Sequence, residues 1–301
     1  MREIVLPDGI TVIGQSAFNG CRNLKQIQLP KYVMSLPSQM CKNCMSLESV
    51  KLPESLQAIG TGVFSGCKAL KRIELPTAVK TIGGYAFSQS GLLSIRLPDG
   101  MATISNGVFN ECFSLAEVSL PQGVTSIGQD VFANCRAMRT IVLPSGIKEI
   151  GDRAFARSGL ESVIIPDGVT ALPNGIFHGC LSLSEVSLPQ TLIDIKENAF
   201  KECASLKGIV LPQFLTNIGD NAFEGCKMLE SFEFPLSVTT IGRMTLYDCV
   251  NLQSVTCHWM DPVKIKDIID NKTTVLRVPV GTEKAYKKSK GWKKFKTIET
   301  R

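Results

Sequence analysis

Eleven cysteines and two histidines, His178 and His258, are the residues of this 301-residue chain whose types could do chemistry. Thiols can close disulfides, hold a metal as thiolates, or act as nucleophiles; an imidazole can move protons. The number of cysteines is odd, and there is no CxxC framework of the zinc-ribbon kind. With two histidines, most metal-dependent and histidine-based acid–base chemistry lacks players. No Walker-type phosphate loop, HExxH or GxSxG occurs. The carboxylates Glu74, Glu117, Glu185 and Glu233 are scattered and form no catalytic pair. The expectation is a non-enzyme with no catalytic residue, no metal and no cofactor.

The cysteines make sense once the elements that position them are laid out. Prolines after an apolar residue fall at 7, 30, 53, 76, 98, 121, 144, 166, 189, 212 and 235, at intervals of 22 or 23. A fixed period of this length is the signature of a repeat array. One unit runs Leu47-x-x-Val50-x-Leu52-Pro53-x-x-Leu56-x-x-Ile59-Gly60-x-x-Val63-Phe64-x-x-Cys67-x-x-Leu70. Its LxxVxL stretch alternates and reads as a strand, with Val50 and Leu52 inward and Ser49 and Lys51 outward. Proline ends the strand in a turn. Gly60 is expected to permit a sharp corner. Phe64 and Cys67 are expected on one face of a single helical turn.

A single coil cannot bury its apolar side; stacked coils share one core. Twelve strand centres, from Ile4 through Ile73, Ile141 and Ile209 to Val255, predict a parallel sheet about 53 Å long at the usual strand spacing. Nine cysteines occupy one repeat column, Cys41 takes the Phe18/Phe64 place, and Cys257 takes the Leu29/Leu52 place. All eleven therefore point inward, as small hydrophobes. Ser90 and Ser158 replace the column cysteine in the two 22-residue units.

This pattern resembles the BspA-like (Treponema pallidum-type) leucine-rich repeat family, on the recurring LxxIxLP, IG, AF and Cys, as in Ile13-Gly14-Gln15-Ser16-Ala17-Phe18-Asn19-Gly20-Cys21. Residues 275–298 also resemble the strand–helix terminal segment of Bacteroidetes-type members. The resemblance implies an α/β repeat solenoid: a right-handed leucine-rich repeat superhelix of about eleven coils, with the parallel β-sheet on its concave face and a C-terminal cap. The solenoid is expected over 1–257, and a basic strand–helix–strand cap over 258–301 continuous with it. Thr282 is expected to cap the helix, Gly291 to end it, and Trp292, Phe295 and Ile298 to cover the last coil.

The outward strand columns are where a ligand would sit. The candidate residues are Arg72, Glu74, Arg96, Glu117, Thr140, Val142, Ser162, Ile164, Glu185, Val210 and Glu233. Val142, Ile164 and Val210 make one column apolar, a feature of protein-binding patches. Neither outward column carries an aromatic side chain, which disfavours sugar stacking and single-stranded nucleic acid. The net charge of +6 is local: residues 264–301 hold 12 Lys+Arg against 4 Asp+Glu, and the remainder 21 against 23. That argues against nucleic acid as partner. The family resemblance implies an adhesin-like protein on the cell surface or secreted, binding a host matrix or neighbouring-cell protein. The alternative is a cytoplasmic interaction scaffold, in keeping with an N-terminus without an apolar signal core. No stretch is long and apolar enough for a transmembrane helix.

Overall fold

The computed structural model describes residues 2–271 and 273–301. Its contacts divide the chain into two compact units, Met1–Ser158 and Gly159–Arg301. Both are built from the same coil. A short outward strand is followed by a turn at proline, a two-residue strand and a run of hydrogen-bonded turns.

The outward strands pair in parallel and in register. In the first unit Glu3–Val5, Gln26–Gln28 and Ser49–Lys51 form one ladder, and Ser94–Arg96 pairs with Glu117–Ser119. In the second unit Ser162–Ile164 pairs with Glu185–Ser187, and Ser231–Glu233, Ser254–Thr256, Val275–Val278 and Thr297–Thr300 follow one another. Alternation holds within each strand: Ile27 is buried between exposed Gln26 and Gln28, and Phe232 between Ser231 and Glu233.

The ladder is interrupted where a strand was expected at Ile73, Ile141 and Ile209. Strands of three residues rest on very few ladder bonds, so a small shift dissolves the pairing. Ile73 and Ile141 open the two coils that are one residue short, and Gly208 weakens the third as a strand. The side-chain pattern survives: Ile73 and Ile141 stay buried while Arg72, Glu74, Thr140 and Val142 are exposed.

The inner ladder of two-residue strands shows the same length effect. Ser35–Leu36, Ala58–Ile59 and Thr81–Ile82 pair in turn, and a separate ladder begins at Thr103–Ile104. Between them lies the Ser90-Gly91 turn. A Cβ on Gly91 would sit 2.0 Å from the Lys68 carbonyl oxygen, so the shortened coil closes only over a glycine.

Gly60 has a role other than the expected one. Its φ is not in the left-handed region; instead a Cβ there would meet the Leu36 carbonyl oxygen at 2.7 Å. It permits close stacking of coils rather than a corner. The corners fall at pairs of left-handed residues four apart, such as Gly62 and Gly66, Tyr85 and Gln89, Asp130 and Asn134, and Met244 and Asp248. These pairs also explain why the Val-Phe-x-x-Cys run is turn and not helix: the residue before the cysteine has positive φ, which ends any right-handed turn.

The core is columnar. Phe64, Phe87, Phe109 and Phe132 stack with centroids 5.4, 5.9 and 5.6 Å apart. Phe177, Phe200 and Phe223 do so at 5.5 and 5.1 Å. Each fully buried ring contributes about 2–3 kcal/mol by area alone.

At the C-terminal end the column becomes an aromatic cluster of Phe232, Phe234, Trp259, Tyr286, Trp292 and Phe295. Trp292 is fully buried, and its indole N–H donates to the Val263 carbonyl at 2.8 Å. The helix runs Glu283–Lys288, and Thr282 does not cap it: its hydroxyl donates to the Pro279 carbonyl at 2.7 Å. Gly291 lies beyond the helix end, which is Ser289, and precedes a 3-10 turn Trp292–Lys294. Ile298 is half-buried.

Candidate binding surface

The coil sorts the chain's chemistry to two sides. The thiols face inward: ten cysteines are buried and Cys21, in the first coil, is half-buried. No disulfide joins them, and neighbouring thiols of the column are held apart by a bond that spacing alone does not reveal. Seven of the column Sγ atoms donate to the carbonyl of the Phe-column residue one coil earlier. The distances are 3.1 Å for Cys44 to Phe18, 3.2 Å for Cys67 to Cys41, 3.0 Å for Cys112 to Phe87 and 3.3 Å for Cys135 to Phe109. In the second unit Cys203, Cys226 and Cys249 reach Phe177, Phe200 and Phe223 at 3.2–3.3 Å. Ser90 keeps the column's polarity, its hydroxyl lying 3.3 Å from the Cys112 sulfur.

Burial pushes these thiols up: Cys112 to about 11 and Cys249 to about 12, from an ordinary 9.0. Cys135, Cys203 and Cys226 are raised well above the ordinary value by the same cause. Such thiols are inert packing groups. One local pair departs from this. Cys41 and Cys44 are three apart, a CxxC spacing; Cys41 is raised by its hydrogen bond to Cys44, and the same bond lowers Cys44. Both are fully buried.

The two histidines have different surroundings. His178 is half-buried rather than exposed, because the following turn is tied to the next coil by Gly179 N–H donating to the Lys201 carbonyl at 2.8 Å. His258 lies with its Nε2 2.6 Å from Glu233 Oε1, a partner one coil back that sequence spacing does not show. Among the described residues no group of three or more His, Cys, Asp or Glu is placed to hold a metal, and no helix is long and apolar enough to cross a membrane.

The strand faces carry the outward side chains. In the first unit Arg72, Glu74, Arg96, Glu117, Thr140 and Val142 are exposed, Val142 at 79%. There Glu3, Gln28, Lys51, Arg72 and Glu74 line an open groove of about 790 Å³. In the second unit Ile164, Glu185, Val210 and Glu233 are exposed and Ser162 is half-buried. Glu185, Val210, Gln213, Glu233, Leu236 and His258 line a groove of about 1060 Å³ over Gly208. A Cβ on Gly208 would meet nothing within 4 Å, so the floor is open. Leu236 and His258 are groove residues that the strand pattern alone does not find, since both lie past the strand ends.

Stacked parallel coils with an apolar column inside and a polar strand face outside define a leucine-rich-repeat solenoid. The chain matches the BspA type leucine rich repeat region over residues 1–115, 34–159, 102–228 and 148–268, and it belongs to that family. It is similar to a leucine-rich repeat protein of Bacteroides ovatus (28% identity, 92% of both chains, TM-score 0.50). It also shares its fold with a leucine rich cell surface protein of Faecalibacterium prausnitzii (22% identity, 100% of this chain and 88% of that one, TM-score 0.60). The same holds for the pneumococcal vaccine antigen PcpA (18% identity, 100% and 89%, TM-score 0.57). No curated protein matches the chain. Family and fold make it a protein-interaction module.

Proposed function

We propose that this chain is a non-catalytic, adhesin-like module, exposed on or secreted from a bacterial cell, that binds a host matrix or neighbouring-cell protein along its strand faces. The observation that carries the reading is the sorting of side chains. Groups with reactive potential are buried in the column, while Arg72, Glu74, Arg96, Glu117, Thr140, Val142, Ser162, Ile164, Glu185, Val210 and Glu233 stand on the outward columns. Val142 in the first unit and Ile164 and Val210 in the second put exposed aliphatic area on these columns, the kind of surface that partner proteins cover. The cell-surface description of the Faecalibacterium protein lends support to the location.

The test begins with capture from host-matrix and host-cell extracts and identification of the ligand. Val142→Asp, and separately the pair Ile164→Asp and Val210→Asp, should then weaken its binding at least tenfold with unchanged circular dichroism. Undiminished affinity in both variants would sink the assignment of the strand faces.

A second reading, an intracellular interaction scaffold, draws on the absence of any disulfide among eleven cysteines. Reduced thiols suit a reducing compartment. Fractionation of the native cells separates the two.

A further inference from the structure

One exposed feature lies past the ends of the outward strands. In the second unit the loops that follow the outward strands carry Phe214, Leu236, Met260 and Val280, exposed at 61, 66, 64 and 72%. The strand register places two of them, Leu236 and Val280, on either side of Trp259. Glu233 pairs with Thr256 and Thr256 with Arg277. Leu236, Trp259 and Val280 each follow three residues later; Trp259 is buried, and Met260 next to it is exposed. At the position of Leu236 and Val280, just after the proline column, the first unit is polar, as at Asp8, Lys31, Glu54 and Asp99; at that of Phe214 and Met260, one residue on, it is small except for exposed Tyr32. Repeat position therefore does not demand an apolar residue here; these coils depart from their own pattern.

This ridge is joined to the basic cap by a chain of buried bonds. The Trp259 indole N–H donates to the Leu236 carbonyl at 3.1 Å, and the Tyr286 hydroxyl donates to the Trp259 carbonyl at 2.9 Å. Tyr286 is the buried residue of the helix Glu283–Lys288, which begins three residues after Val280. The rest of that helix shows Lys284, Lys287 and Lys288 to solvent, with Lys290 just beyond. Residues 264–301 hold 12 Lys+Arg against 4 Asp+Glu. Exposed apolar tips flanked by fixed cations are the combination that seats a protein on an anionic lipid surface: the tips enter the headgroup boundary and the cations meet the headgroups.

We propose that the loop ridge of Phe214, Leu236, Met260 and Val280, with the lysines of the cap helix, is a docking surface for an anionic membrane. It adjoins the second-unit strand face at Leu236, which also lines the groove there.

The test is co-sedimentation of the full chain with phosphatidylcholine vesicles, and with vesicles of about 7:3 phosphatidylcholine to phosphatidylserine, at about 50 and 300 mM salt. The protein should pellet with the anionic vesicles, stay in solution with the neutral ones, and lose binding as salt rises. The variant Leu236→Ser/Met260→Ser/Val280→Ser, checked by circular dichroism, should partition at least tenfold more weakly. Lys284→Glu/Lys287→Glu/Lys288→Glu changes only exposed side chains and should bind weakly at both salt concentrations. No sedimentation of the parent chain with anionic vesicles overturns the proposal. So does equal binding to neutral ones, or undiminished binding by the ridge variant. An anionic-vesicle result of either kind leaves ligand binding by the strand faces to be read separately.

Discussion

The buried thiol column makes a prediction that a bench reagent can test. The perturbation is a disulfide reagent such as DTNB, added to native protein at pH 7.4 without reductant. Reaction needs thiolate and access. Raising Cys112 from 9.0 to about 11 lowers its thiolate fraction about a hundredfold, and raising Cys249 to about 12 lowers it about a thousandfold. Both sulfurs are also fully buried, so even that thiolate is reached only through local opening. Cys21 differs, being half-buried. Cys44 differs in another way: the hydrogen bond from Cys41 favours its thiolate, but it has no exposure. The expected trace is therefore one fast thiol, Cys21, then Cys44 with coil opening, then silence. Unfolding in denaturant should release the full count of eleven. Peptide mapping of the labelled protein assigns each step. Fast labelling of Cys112 or Cys249, or fewer than eleven thiols after unfolding, would refute the reasoning that the column is packing and not chemistry.

Three further outcomes follow from the same structure. Burial raises Cys112 to about 11, so its contribution to stability is complete below pH 9 and is lost as pH rises from 9 to 11, by up to about 3 kcal/mol; urea midpoints of Cys112→Ala and the parent should converge across that window. Gly91→Ala puts a methyl against the Lys68 carbonyl and should lower stability by more than about 2 kcal/mol, seen as a lower thermal midpoint. Trp292→Ala removes a fully buried indole and its bond to Val263, and should cost about 3–5 kcal/mol, with amide exchange rising first in the second unit.

The parts of this fold legible in the sequence are those carried by strict periodicity. Alternation at Ser49-Val50-Lys51 and the 23-residue return of leucine, phenylalanine and cysteine fix which side chains face in, because a coil stacked on its copy has one apolar side. The outward positions of Arg72 through Glu233 follow from the same alternation. What stays hidden is what depends on the neighbouring coil. The bond from Cys135 Sγ to the Phe109 carbonyl spans 26 residues and involves a backbone atom, which has no sequence letter. The need for glycine at 60 comes from Leu36, one coil back. The loss of pairing at Ile73 reflects a deletion nearly a coil later. The groove residues Leu236 and His258 lie past strand ends, where the repeat pattern is loosest.

The left-handed pairs at the corners of each coil have a consequence for how this protein can change. Among the described residues, fifteen of these positions hold residues other than glycine, including Tyr85, Arg153 and Met244. A non-glycine residue in this region carries about 1 kcal/mol of strain. Each such site is a local reserve that a change to glycine or asparagine can release. These corners stand apart from the strand columns that would meet a ligand. Residues on the strand faces can therefore be exchanged at some loss of stability, and the loss recovered one coil at a time elsewhere, so that variation in what is recognised need not be limited by what still folds.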